Sequence, residues 1–404
     1  MDETFFAKPK EVSGLGRSVS EIGLQTLTSY KYFNEHAGPV GAYQSEIFGS
    51  LLDPLDDIRN AWRNRHVHLA VNCTELGDKL NIAAWLYVDQ EKKNYEALNA
   101  HTQLPPFPDP ERDPGDSKRP AVGTAELFGD PADYGHPEGI DYPPPESLPD
   151  DLAAVIADAA GWLGDIDDAI EAMIGQSPLR QLVEPIGGNW NDLLRLGWTY
   201  RIAGEAMEKG GDVLAEGTAR VDEFWDGMAA VAYSEYAIKQ VAAMQWEGAC
   251  GRVIQAVAER AAEEISNSIR VLVTKVREMI EKEFDRTSGA RVVDFLSKKI
   301  PFAGAAYQLW RIWEILRTGF DLGMKLVDSI RTITDAFKEF LSLVASPTGY
   351  MNEQFEQKLA PITEKIEDAK LLLDIKNTAD ASPVYEVPKD PYSLGTGEEP
   401  WADA

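Results

Sequence analysis

Wherever apolar residues are dense along this chain they recur at steps of three and four, the period of a helix with one buried face. Val12, Leu15, Val19, Ile22, Thr26, Tyr30 and Phe33 form the first stripe, and Gly38, Pro39 and Gly41 break it. A longer stripe follows through Leu51, Leu55, Ile58, Trp62, His66, Leu69, Cys73, Leu76, Leu80, Ala83 and Tyr87. A helix from Leu51 to about Ala100 spans roughly 75 Å at about 1.5 Å per residue, so the first module reads as a helical hairpin with unequal arms. Further on, Pro149-Asp150 opens a short acidic helix to about Ile174. Ser177-Pro178, Pro185 and Gly187-Gly188 interrupt the pattern. Asn189 or Gly188 then caps a helix running to about Phe224, and after a turn at Trp225-Asp226-Gly227 a helical pattern restarts at Met228. Ile265, Ile269, Leu272, Val276, Ile280 and Phe284 continue it as far as Thr287-Ser288-Gly289. A last set, Phe320, Met324, Val327, Ile330, Ile333, Phe337, Phe340 and Val344, stops before Pro347. No stretch alternates with period two between hairpin turns. The expected fold class is all-α, built from elongated antiparallel helical hairpins in a bundle.

One helix has an unusual composition. Gly197, Gly204 and Gly211 recur every seven residues, and so do Ala203, Gly210 and Gly217. Each interior glycine costs about 1 kcal/mol against alanine. A repeat of small residues predicts that close approach of a partner helix offsets that cost; a helix that is simply weak there is the other reading.

Between Gln103 and Asp150 the chemistry changes, with 12 of the 24 prolines, 11 acids and three bases, Arg112, Lys118 and Arg119. Proline denies helix and net charge resists collapse, so this stretch reads as an extended or disordered linker between domains. The tail after about Asn377 is similar and is expected to be mobile. The expected organisation is a hairpin module at 1–102, a proline-rich acidic linker at 103–150, a second hairpin at 151–248, a further helical region at 249–346, and a short helix with an acidic tail at 347–404.

Composition narrows the partners. The 404 residues carry a net charge of −28, which argues against nucleic acid or an anionic membrane as the main partner. Residues Met1–Lys10 hold two acids and no apolar segment, so no signal peptide is expected. No run of 18 apolar residues occurs, and stable membrane insertion is not expected. Cys73 and Cys250 do not make a disulfide framework and fit folding in the cytosol. His66 and His68 are two apart on a helix and point about 200° apart, so they do not share a metal; His66 lies on the apolar stripe and reads as a packing residue. There is no glycine-rich phosphate loop, no Gly-X-Ser-X-Gly and no His-Glu-X-X-His. Asp56-Asp57, Asp167-Asp168 and Glu263-Glu264 read as solvated helix faces. No catalytic residue, cofactor or metal ligand is assigned, and the chain is expected not to be an enzyme.

Two short motifs gain meaning from their position. Trp-X-Gly occurs at Trp162-Gly164, Trp225-Gly227 and Trp246-Gly248, where 10 Trp and 32 Gly give about one by chance. Tyr-X-X-X-acid occurs at Tyr87/Glu91, Tyr134/Glu138 and Tyr142/Glu146. Only Tyr87 and Glu91 lie on a predicted helix, four apart and on one face, and only Trp225-Gly227 lies at a turn between two long helices.

The segment Gly187-Gly188-Asn189-Trp190-Asn191-Asp192-Leu193, the small-residue helix after it, and Phe224-Trp225-Asp226-Gly227-Met228-Ala229-Ala230 resemble the Trp-X-Gly family of type VII (ESX) secretion proteins. The resemblance covers about Pro185 to Ala243. The first module, from Val12 to Ala100, with Leu51-Leu52-Asp53-Pro54-Leu55 between its arms, is similar to the ESX secretion-associated hairpins that precede such domains. This implies a two-part secretion signal, with Tyr87 and Glu91 as one half and Trp225 and Gly227 as the other, read by a membrane-bound ATPase of the secretion machinery. It also implies a protein that folds in the cytoplasm and reaches the outside or the cell surface without signal-peptide cleavage, acting there by binding or assembly with a second copy or a small Trp-X-Gly partner. A family departure is the long linker between the two halves. A secreted toxin with a helical, membrane-active C-terminal region, centred on Ile300–Val344, and a cytosolic scaffold that is never exported remain alternatives.

Overall fold

The computed structural model describes residues 6–102, 127–146, 152–283, 294, 305–347, 360 and 368–394, apart from 42, 44, 138, 162, 175, 176 and 185–187. Its helices are α1 (Pro9–His36), α2 (Glu46–Gly49), α3 (Leu52–Thr102), α4 (Leu152–Ala160), α5 (Leu163–Ile174), α6 (Pro178–Val183), α7 (Trp190–Val221), α8 (Met228–Glu283), α9 (Ala305–Ala345), α10 (Ala369–Ala379) and α11 (Ser382–Glu386). Among the described residues there is no β-strand, only an isolated antiparallel bridge between Ala7 and Trp225. The fold is all-α, as the periodicity predicts, and the end of α8 foreseen at Thr287-Ser288-Gly289 lies outside the described residues.

Helices α1 and α3 form one hairpin, α7 and α8 another, and the two dock through α1 against α7. All eleven positions of the long predicted stripe are buried, Leu51 just before α3 and the other ten on it as far as Tyr87. Two hydrophobic cores follow one another along the bundle. One joins Val12–Ile22, Leu69–Tyr87 and the second half of α7 to the start of α8. The other joins Phe33, Trp62 and the first half of α7 to the remainder of α8, and is walled by α4, α6, α9 and α10. Met324, predicted as part of the last apolar stripe, is instead 43% exposed, while Val327, Ile330, Phe337, Phe340 and Val344 are buried.

The glycine repeat marks two seams. A Cβ on Gly197 would sit 3.0 Å from the Gln255 Cα, and one on Gly211 3.1 Å from the Met244 Cβ, so this row faces α8. In the second row Gly217 meets Leu15 of α1, and Gly210 lies between Met244 of α8 and Ile22 of α1. At the tightest point Gly204 admits the Glu247 carbonyl and Gly251 admits that of Tyr200. Each carbonyl belongs to the residue four before the opposing glycine, so both helices use the same close-packing step.

A buried ion pair ties the hairpins together. Asp192 on α7 accepts from Arg195 Nε (2.6 Å), from the Val40 N–H (2.8 Å) and from the Tyr43 hydroxyl (2.7 Å). Arg195 also donates to the carbonyls of His36 and Gly38. The loop after α1 is thereby fastened to the start of α7, with every carboxylate and guanidinium contact charge-assisted.

Of the proline-rich stretch, 103–126 and 147–150 lie outside the described residues. Residues 127–137 and 139–146 run non-helical along α1. Phe128 is buried against Trp85, with ring centroids 4.9 Å apart. The Ala132 N–H reaches the Lys10 carbonyl (3.0 Å), His136 pairs with Glu21, and Tyr142 meets Tyr32. Ten extended residues at about 3.3 Å cover the same roughly 33 Å as the α1 turns from Lys10 to Tyr32 at about 1.5 Å per residue. Proline excludes helix here, and the aromatic residues between the prolines give the extended chain something to bury. The tail behaves alike as far as Leu394: residues 380–394 pack on α8, while 395–404 lie outside the described residues.

Candidate functional site

Of the four residues assigned to the two-part signal, Tyr87 and Trp225 meet where α7 turns into α8. Helix α7 ends at Val221, and residues 222–227 turn the chain into α8. Gly227 has φ +103°, a region that side chains with a Cβ rarely adopt, and its N–H is held by the Asp226 carboxylate at 2.7 Å. The first described residues brace the turn: the Lys8 N–H donates to the Phe224 carbonyl (2.9 Å) and the Asp226 N–H to that of Phe6 (3.0 Å). These bonds satisfy backbone groups that the end of α7 would otherwise leave open.

Trp225 points inward and is 1% exposed. Its indole Nε1–H donates to the Tyr87 hydroxyl at 2.9 Å, and the two rings meet edge to face with centroids 6.3 Å apart. Tyr87 is 8% exposed. Burial raises its pKa, with the Trp225 bond acting in the opposite direction, so it stays a neutral phenol that accepts from the indole. Glu91, one turn further along α3, is exposed. The tyrosine is therefore a core residue, the last position of the apolar stripe on α3. Glu91, Asp222, Glu223, Asp226 and Met228 face solvent around the junction, the last 69% exposed.

Sequence patterns did not single out the rest of the cluster. Tyr233 packs on Trp225 at 5.4 Å and shares a hydrogen bond with Thr218 at 2.8 Å. Tyr392, from the tail, lies against Tyr233 and Tyr236 and donates to the Ala229 carbonyl at 3.3 Å. Burial pushes the phenols of Tyr233 and Tyr392 up. Tyr233 sits on the buried face of α8, where helical periodicity is the signal that could have marked it; Tyr392 lies in a proline-rich tail with no periodicity to mark it.

The competing motif copies fall elsewhere. Trp246-Gly248 lies within α8, with Trp246 buried and donating to the Thr378 carbonyl. Trp162 lies outside the described residues, and Tyr134 and Tyr142 lie on non-helical chain.

Other reactive groups are held in structural roles. His66 is fully buried, its ring nitrogens lack hydrogen-bond partners, and burial beside Arg65 lowers its pKa to about 3. Arg65 pairs with the buried Glu247 and donates to the Val344 carbonyl. The Cys73 thiol is pushed up to about 12 by burial, and that of Cys250 well above its ordinary value; neither is a nucleophile at neutral pH. Asp167 accepts from the Ser177 hydroxyl and the Leu179 N–H, bracing the start of α6. An open groove of about 710 Å³ between α8 and α10 is lined by Arg252, already paired to Glu208 and Asp374. Among the described residues no group of three or more His, Cys, Asp or Glu is placed to hold a metal ion, and no helix is long and apolar enough to cross a membrane. No family model, curated protein or solved structure matches the chain.

Proposed function

We propose that this protein is a non-enzymatic substrate of a type VII secretion system, exported folded and acting outside by binding or self-assembly. The observation that carries the reading is the Trp225–Tyr87 hydrogen bond. Residues 138 positions apart, on separate hairpins, are joined at one end of the bundle beside the exposed Glu91. In this reading the two aromatic side chains hold α3 and the Trp-X-Gly turn in register, and the secretion ATPase reads the surface they align: the Glu91 carboxylate and the turn at Gly227. A folded bundle presents that surface rigidly, which lowers the ordering cost of recognition.

The exposed carboxylate makes a clean test. A tagged full chain is expressed in a host with an intact type VII system, and washed culture filtrate is blotted beside a cytosolic lysis marker. Glu91→Arg is expected to abolish export while leaving the circular dichroism and the urea midpoint unchanged, and deletion of the ATPase is expected to do the same for the unaltered chain. Normal export of the unaltered chain without the ATPase overturns the reading, as does its retention where a known substrate leaves.

A further inference from the structure

The segment Val387–Leu394 lies in a groove between α3 and α8, and the way it is held differs from the packing elsewhere. Its backbone carbonyls are read by side chains. Pro388 O accepts from His68 Nε2 (2.7 Å) and Asn72 Nδ2 (3.0 Å), and Asp390 O faces the Tyr236 hydroxyl at 3.4 Å. One side chain, Tyr392, is buried to 4% exposure in the aromatic pocket of Tyr233 and Tyr236. Val387 and Leu394 pack at the two ends.

The floor of this groove is built for an acceptor. Asn72 and Gln240 are 1% and 0% exposed, set between otherwise apolar helix faces. Gln240 uses its amide N–H groups on the Leu69 carbonyl and Cys73 Sγ, and its Oε1 lies 3.2 Å from Asn72 Nδ2. Asn72 has two N–H donors; one goes to Gln240 and the other to Pro388 O. Without an occupant that second donor loses its 3.0 Å acceptor and keeps only the longer approach to His68 Nε2 at 3.4 Å. The groove thus offers donors, and the occupant is matched to it: Pro388 and Pro391 have no N–H and ask for no acceptor.

We propose that this α3–α8 groove is a peptide-binding site for non-helical, proline-containing segments with a tyrosine four residues after a proline, and that the chain's own tail is its resident, displaceable occupant. Proline-rich segments are known to dock in aromatic-lined grooves; here a tyrosine of the segment is the anchor and its backbone carbonyls are read beside it. A partner carrying such a segment docks by replacing Pro388 O and the Tyr392 ring. The proposal is independent of the export reading.

The test uses a fluorescently labelled synthetic peptide of residues 386–394 and the full chain, followed by anisotropy. Binding to the Tyr392→Ala chain is expected to be at least tenfold tighter than to the unaltered chain, and to be lost when the peptide's tyrosine is replaced by alanine. Equal or absent binding to the Tyr392→Ala chain, confirmed as folded by circular dichroism, overturns the proposal. Hydrogen exchange on the unaltered chain needs no variant: amides of 387–394 are expected to exchange at least a hundredfold faster than those of residues 69–76 beneath them. Equal protection of the two would make the tail a fixed part of the core and overturn displacement.

Discussion

Replacing Gly251 by alanine tests whether the glycine seam holds the second hairpin together. A Cβ at this position lies 2.5 Å from the Tyr200 carbonyl oxygen and 3.1 Å from its carbon. A carbon and a carbonyl oxygen pack at about 3.3 Å or more, so α7 and α8 must part by nearly 1 Å. The obstructing atoms are helix backbone and have no rotamer to change. Overpacking costs about 1–3 kcal/mol, and this site belongs at the upper end. Alanine recovers about 1 kcal/mol through helix propensity. The expected net loss is about 2 kcal/mol, read as a lower urea midpoint by circular dichroism. Gly204 makes the reciprocal contact with Glu247, so adding Gly204→Ala is expected to cost less than it does alone, because the helices have already separated. Gly164 on α5 has nothing within 4 Å of its would-be Cβ, and Gly164→Ala is expected to be neutral or stabilising by up to about 1 kcal/mol. A Gly251→Ala protein as stable as the unaltered chain would refute the close-packing account.

Acid should act through His66. The unfolded histidine binds a proton near pH 6.5, whereas the folded one resists it down to about pH 3, so its contribution is complete above 6.5 and is lost as pH falls toward 3. By pH 5 the loss is about 2 kcal/mol at about 1.4 kcal/mol per pH step, and His66→Leu should flatten that limb of stability against pH; an unchanged limb would sink the assignment. Tyr87→Phe strands the buried Trp225 Nε1–H and should cost about 1–3 kcal/mol by urea unfolding; no loss would mean the bond does not hold the junction. Glu247→Gln leaves Arg65 buried without its counter-charge and should cost about 3–5 kcal/mol, with Arg65→Met plus Glu247→Leu recovering most of it. Similar stability for Glu247→Gln and the unaltered chain would contradict a desolvated pair.

Helical class, the buried face of α3, and the glycine seam of α7 were legible in the sequence because each is a local property. A period near 3.6 follows from backbone geometry, and a side chain on the apolar stripe is buried whichever partner covers it. Thus Leu51 to Tyr87 read correctly as core, and small residues every seven positions read correctly as close approach. Tyr87 and Trp225 could each be placed, one on the apolar face of a long helix and one at a turn, but their bond could not. It depends on two hairpins docking with a particular stagger, and helical periodicity carries no information about stagger between elements. The non-helical straps show the same limit more sharply. Proline told that residues 127–146 and 387–394 are not helix, yet it says nothing of where an extended chain lies. Their positions are decided by Phe128, Tyr142 and Tyr392 finding aromatic partners, and by Asn72 and His68 meeting a carbonyl more than three hundred residues away. Only the assembled bundle creates those surfaces, and so only the tertiary structure decides what fills them.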